Sequence, residues 1–328
     1  MIKNHFVGRN AGSGLGLQML SEEDKQLIHS AALEVLSQTG MLIDDKECCE
    51  VLADIGCEVD FEKKIVKFPH NIVEDAIRTA PSGYLLAGKD EEHDVWLESG
   101  RVNFITFGCG IMMRDLYTHE RRKTTKQDIV DVCRVTDTLD EFDVIMHTII
   151  AQDVNPDVEA MHNFQAHFAN TRKPLLSGGL EERQAKKVID MAAYYSGGYE
   201  NLKKRPLFQI GGCTISPMEI PASTCMTIRL GAQYGLPIGI TSMAMIGGMS
   251  PVTMAGALVE TVAEPLGANV LAQALDKGHA FNMNSSTGLN DMRQNAAAMV
   301  GCPELALISG AFSQMARWYN IPSMAAGT

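Results

Sequence analysis

Hydrophobic positions along this chain change their period near residue 100. Before that point, helical and short extended spacings alternate. Ser21-Glu22-Glu23-Asp24 reads as a capping-box start, and Leu27, Ile28, Ala31, Ala32, Val35 and Leu36 then repeat at helical spacing until Gly40. A second helix is predicted over 45–55, a small hairpin over 57–68, and a third helix between Pro69 and Pro81. Two more strands are expected at 84–87 and 95–98. Residues 1–100 therefore read as an N-terminal α+β cap.

From Arg101 the pattern becomes strand, then helix, repeatedly. Seven short apolar stretches are predicted as strands: 102–107, 144–150, 174–176, 207–210, 237–241, 279–283 and the closing 320–328. Helical spacing fills the intervals, with start signals at Thr125-Lys126-Gln127-Asp128, Pro217 and Pro303. Such alternation demands a parallel sheet with helical crossovers. Each strand is tipped by small polar residues on one side, which fits an α/β fold of (β/α)8 TIM type, where sites form at the carboxyl ends of strands. An open, doubly wound sheet is the alternative. Residues 101–328 supply seven of eight barrel strands, so the barrel is expected to be incomplete, lacking its last helix, strand and helix. Two open strand edges would then cost about 1–3 kcal/mol for each buried orphan group.

Composition narrows the function classes. The 328 residues carry a formal net charge of −12, which argues against a nucleic-acid surface. The start, Met1-Ile2-Lys3-Asn4-His5-Phe6, has no apolar signal core, and the most hydrophobic windows are too short and glycine-rich to span a bilayer, so a cytoplasmic protein is expected. Eight cysteines include no C-x-x-C pair and read as reduced, buried thiols. Gly12-Ser13-Gly14-Leu15-Gly16 lacks the preceding strand of a dinucleotide-binding turn and reads as a flexible arm.

Chemistry-bearing patterns are sparse. His162 and His167 stand about 140° apart around a helix, and neither H-x-H nor H-E-x-x-H occurs, so no bound metal is expected. His147, inside the second strand, reads as a satisfied interior residue. The glycine pairs 178–179, 211–212 and 247–248 are not followed by the Lys-Ser/Thr of a phosphate loop. Asp153 is the one carboxylate at a predicted strand tip, able to orient a cation or to cap a helix. Met243, Met245, Met249 and Met254 could form a soft wall for methylated cations or simply fill the core. By position, Asp153, Thr214, Ser242, Met243, Asn284, Ser285 and Ser286 are expected to line the barrel mouth as substrate-binding residues.

Four longer strings carry a family resemblance: Ser216-Pro217-Met218-Glu219, the run Thr241-Ser242-Met243-Ala244-Met245-Ile246-Gly247-Gly248-Met249-Ser250-Pro251, Gly301-Cys302-Pro303-Glu304-Leu305-Ala306-Leu307-Ile308-Ser309, and Ile321-Pro322-Ser323-Met324-Ala325-Ala326-Gly327. In order and over nearly the whole chain, they resemble the trimethylamine:corrinoid methyltransferase family. The resemblance implies a barrel enzyme that moves a methyl group from a methylamine to the cobalt of a corrinoid (cobalamin) carried by a separate, cognate protein. It also implies a homo-oligomer. In the trimethylamine branch, pyrrolysine follows a stretch like Ala326-Gly327, and its imine would activate the amine. The catalytic residue is then expected just after Thr328, with the chain ending at an amber codon read as a stop. The resemblance leaves two alternatives: a quaternary-amine enzyme of glycine betaine type without pyrrolysine, or a silent barrel fragment that only binds a partner.

Overall fold

In the computed structural model, which describes residues 18–108 and 110–326, helices start at the signals of Ser21, Thr125 and Pro303, whereas the helix expected from Pro217 begins only at Ala222, after a short strand at Glu219–Ile220. The Ser21 hydroxyl accepts the Asp24 N–H and the Asp24 carboxylate accepts the Ser21 N–H, opening α1 (Glu22–Gln38). Then come β1 (Met41–Ile43), α2 (Lys46–Asp54), β2 (Glu58–Asp60), β3 (Ile65–Lys67) and α3 (His70–Thr79). Two antiparallel hairpins follow, β4 (Gly83–Leu86) with β5 (Val95–Glu98) and β6 (Met112–Arg114) with β7 (Arg121–Lys123). The glycine-rich arm around residue 14, Cys109 and the last two positions lie outside the described residues.

The alternating part begins at α4 (Lys126–Thr138), whose Thr125 and Asp128 repeat the capping box. It continues through β8 (Ile145–Met146), α5 (Glu159–Asn170), β9 (Leu175–Leu176), α6 (Glu182–Ser196), α7 (Tyr199–Lys204) and β10 (Phe208–Cys213). After β11 (Glu219–Ile220) come α8 (Ala222–Tyr234), β12 (Ile238–Ser242), α9 (Met254–Leu275) and β13 (Phe281–Ser285). A small hairpin of β14 (Asn290–Asp291) and β15 (Ala297–Ala298) precedes α10 (Pro303–Trp318) and β16 (Ser323–Ala325). Gly235 ends α8 in the left-handed region at φ 67°, a conformation only glycine adopts without cost.

Six strands form one parallel sheet in the order β8-β9-β10-β12-β13-β16. The pairings are Ile145 with Leu175, Leu175 with Phe208, Ile210 with Ile238, Ile238 with Phe281, and Met283 with Ser323. Chain order equals spatial order throughout, leaving aside β11, β14 and β15, which join other sheets. A doubly wound sheet reverses its order at a switch point. The alternative is thus excluded, and the sheet is a curled, partial barrel of TIM type.

One predicted strand does not form. Residues 102–107 touch the sheet through the isolated parallel bridge of Ile105 with Val144 and through the Phe104 carbonyl, which accepts the Asp143 and Val144 N–H groups; just beyond them Gly110 makes a second bridge, to Ile149. Side chains take the ladder's place. The Asp143 carboxylate accepts the Phe104 N–H at 3.0 Å, and Thr106 Oγ1 accepts the Met146 N–H at 2.9 Å and donates to its carbonyl at 3.3 Å. Main-chain groups so occupied cannot extend a strand.

The cap and the sheet share one apolar core. β1 pairs in parallel with β11, Leu42 opposite Glu219 and Ile43 opposite Ile220, and α1 packs on α9. Buried Leu36, Met41, Ile43 and Leu52 join Leu258, Val262 and Leu266 in a single cluster. A second contact plugs the barrel lumen: Leu86, Val95 and Leu97 of the β4–β5 hairpin pack with Ile105, Met146, Leu176 and Met324. No helix among the described residues is long and apolar enough to cross a membrane.

Candidate functional site in the barrel lumen

Side chains alternate along each strand, so every second residue enters the lumen. On β10 the outward residues are Phe208 and Ile210, buried against the helices, and the inward ones are Gln209, Gly211 and Cys213. Ile238 and Ile240 face outward on β12, leaving Gly239, Thr241 and Met243 inward. Phe281 and Met283 face outward on β13, leaving Asn282, Asn284 and Ser286 inward.

The register stacks these residues in layers, Gly211–Gly239–Asn282 below Cys213–Thr241–Asn284–Met324. Gln209 lies across Gly239, where a Cβ would overlap its Nε2 and stand 2.8 Å from Asn284 Nδ2. The Tyr84 hydroxyl, from the cap, donates to Gln209 Oε1, and Asn282 Nδ2 donates to the same oxygen at 3.3 Å. The amide oxygens of Asn282 and Asn284 are buried without a hydrogen-bond partner. A cavity of about 370 Å³, lined by Ile105, Leu176, Asn282 and Met324, opens sideways between β16 and residues 101–105, with Arg101 and Arg317 on its wall. Two buried acceptors without partners suit a small cation or N–H donor.

The seven residues expected at the mouth divide between several tasks. Asn284 is in the lumen, and Met243 follows β12, 43% exposed. Ser286 donates its N–H to the Ser242 carbonyl at 2.9 Å, and Ser285 Oγ accepts the Thr287 N–H at 3.2 Å. Asp153 is exposed and accepts the Lys126 N–H at 2.8 Å, at the first turn of α4. Thr214 and Ser242 are turned away from the lumen, toward Glu264.

Glu264, in the middle of α9 and fully buried, is the residue sequence reasoning missed. Its Oε2 accepts from Thr214 Oγ1 at 2.5 Å, Ser242 Oγ at 2.7 Å and Ser216 Oγ at 3.0 Å, while Oε1 accepts the Met218 N–H at 2.9 Å. One carboxylate thereby ties the tips of β10 and β12 to the loop between β10 and β11. The available signal was two glutamates four residues apart in a helix with no other charged residue, since buried polar groups are the informative exceptions.

The second glutamate, Glu260, lies one turn closer to the mouth, and its Oε1 is buried without a partner. Desolvation, then the charge of Glu264, pushes its carboxyl up to about 7. The folded state therefore holds this proton more tightly than the unfolded chain does. Its contribution to stability is complete below the ordinary value of 4.5 and is lost as pH rises toward 7. Glu260→Gln is expected to flatten that decline, so that urea midpoints of wild type and variant diverge between pH 5 and about 8, the variant being the more stable at the upper end. Parallel pH profiles would rule this out.

Two expectations are corrected. His147 is not satisfied: its ring packs against Phe164 and His167, both at 4.7 Å, with Nε2 unpartnered. Burial lowers its proton affinity well below the ordinary value and pushes His167 down to about 4, so both rings are neutral near pH 7. The cysteines are not uniformly buried: Cys48, Cys49, Cys57, Cys133 and Cys225 are, whereas Cys213 is exposed at the tip of β10 and Cys302 is half-buried at the start of α10.

Comparison with known proteins decides the family. The model of the trimethylamine methyltransferase (MTTB) family matches residues 11–328. The chain belongs to this family. It is 41% identical over 314 residues to the trimethylamine methyltransferase MttB of Desulfitobacterium hafniense, covering 96% of this chain and 63% of that protein. It is 35% identical over 331 residues to the MttB of Methanosarcina thermophila, covering 99% of this chain and 68% of that protein. The chain thus spans about two thirds of the length of these relatives. The crystal structure of the Methanosarcina barkeri monomethylamine methyltransferase superposes with a TM-score of 0.53 at 14% identity, covering 92% of this chain and 66% of that one. At that identity the likeness speaks to fold, and it agrees with the sequential parallel sheet of this MTTB-family chain.

Proposed function

We propose that this MTTB-family chain holds trimethylamine in its lumen for transfer of one methyl group to the cobalt of a corrinoid presented by a separate protein. The observation that carries the reading is the pair of unpaired amide oxygens on Asn282 and Asn284. Trimethylammonium offers one N–H and three polarised methyl groups. One amide oxygen would accept the N–H, and the other would face the methyl hydrogens. Leu97, Ile105 and Leu176 line the cavity beside Asn282 and lower the local dielectric, which strengthens the contact there. Met243 and Met324 add soft surface toward the mouth.

In the transfer, the C–N bond breaks with its electron pair staying on nitrogen, and the methyl group bonds to Co(I), which supplies its own pair. Dimethylamine leaves. The residues described here bind and orient the amine, and in-line alignment of methyl and acceptor is the main contribution such a site can make. The same cavity supports a second reading, because Arg317 on its wall could face the carboxylate of a quaternary amine such as glycine betaine, while Arg101 is held by Glu98 at 2.9 Å.

Calorimetric titration separates the two. Trimethylammonium is expected to bind, with Asn282→Leu and Asn284→Leu each weakening it about ten-fold or more, the loss of one good polar contact. Methyl transfer to a reduced corrinoid protein should fall in the same variants. Tighter binding of glycine betaine, lost on Arg317→Gln, would favour the second reading. Unchanged affinity in both asparagine variants would reject the lumen as the amine site.

A further inference from the structure

We propose that the amino end of the sheet carries a second binding site, for a small organic anion with an apolar body. A cavity of about 490 Å³ opens there between α5, α6, α7 and the segment following β4. Its volume falls within the range of small-molecule sites. Leu175, the first residue of β9, and Leu207, just before β10, form its floor, so it lies at the opposite strand ends from the mouth.

Ala87, Phe168, Leu175 and Leu207 make the walls apolar. The charged groups lining it are Lys89, Lys173, Lys204 and Arg205, with no carboxylate among them, in a chain whose net charge is −12. Two of these cations are engaged. Lys173 Nζ donates to the Thr136 and Leu139 carbonyls, both at 2.6 Å, and Arg205 forms a forked pair with Asp94, both bonds 2.7 Å. Asp137, whose charge reaches Lys89, is itself held by Arg172 at 3.1 Å and Thr171 at 2.9 Å. Among the described residues, Lys89 and Lys204 have no carboxylate partner.

A third group points the same way. Ser196 Oγ, at the cavity, is buried and has no hydrogen-bond partner. Desolvation also lowers the proton affinity of the Lys89 ammonium by more than the charge of Asp137 raises it. An anionic head between Lys89 and Lys204 would supply that charge and take the Ser196 hydroxyl as donor. The ligand's apolar body would cover Phe168, Leu175 and Leu207. His167, on the same wall, stays neutral and keeps Nδ1 on the Asn163 carbonyl at 2.7 Å. The site needs nothing from the amine reading of the lumen.

Phenyl phosphate tests this by isothermal titration calorimetry, with inorganic phosphate and benzyl alcohol as the head and body alone. Saturable single-site binding of phenyl phosphate is expected, with each part at least about ten-fold weaker. Lys89→Gln with Lys204→Gln should raise Kd about ten-fold or more, while Lys89→Arg with Lys204→Arg stays close to wild type. Circular dichroism checks the fold. If the Gln pair fails to fold, Ser196→Ala decides, with Kd about three-fold higher expected. No saturable binding by the wild-type chain, or equal binding by the Gln pair, or by Ser196→Ala where that variant decides, overturns the proposal.

Discussion

Glu264→Ala is expected to leave the chain largely unfolded. The substitution strands three buried hydroxyls, of Thr214, Ser216 and Ser242, and the Met218 N–H, all of which donate to this one carboxylate. A buried donor deprived of its acceptor costs about 1–3 kcal/mol. With partial rehydration the sum is roughly 4–8 kcal/mol, comparable with the total stability of about 5–15 kcal/mol for a folded domain. Glu264→Gln keeps one carbonyl acceptor but turns an N–H₂ toward donors, and should cost about 2–3 kcal/mol. Urea unfolding followed by far-ultraviolet circular dichroism measures both. An alanine variant within about 1 kcal/mol of wild type would show that the tips of β10 and β12 do not depend on α9.

Gly239→Ala should give the second large effect, from the lumen outward. The added methyl would occupy the place of Gln209 Nε2 and crowd Asn284 Nδ2 at 2.8 Å. Gln209 would be driven from the Tyr84 hydroxyl and the Asn282 amide. Overpacking costs about 1–3 kcal/mol, and the disrupted buried bonds a similar amount, so roughly 2–5 kcal/mol is expected. Amine binding should fall about ten-fold or more, because Asn282 and Asn284 lose their neighbours. Gln209→Ala in the same chain removes the clash and should restore part of the stability, a positive coupling that a double-mutant cycle measures. Additive losses would place Gln209 elsewhere.

What the sequence makes legible here is what local chemistry controls. Ser21 and Thr125 start helices because their hydroxyls reach the third residue on, and Gly235 stops one because it takes φ 67° freely. The parallel, sequential sheet follows from short apolar runs separated by amphipathic ones. The strand expected at 102–107 fails for a nonlocal reason: Asp143 and Thr106 supply from side chains the bonds a ladder would take from the main chain. The candidate site was legible only in part. Asn284 could be placed in the lumen by its position at a strand tip. Thr214 and Ser242 could not be assigned a direction, because their partner lies 50 and 22 residues away on a helix. Glu264 itself was hidden by its surroundings, a carboxylate in an apolar helix whose meaning depends on what packs against it.

The loop between β10 and β11 is pinned from two directions. The cap strand accounts for one, through Leu42 N–H to the Met218 carbonyl and Asp44 N–H to the Ile220 carbonyl, and Glu264 for the other. An entrance with one jaw bolted can gape only on its free side. If the proposed transfer to a carrier protein holds, room for it would be made by the segments after β12 and β13, and differences in what these proteins admit should accumulate there while the bolted jaw keeps its shape.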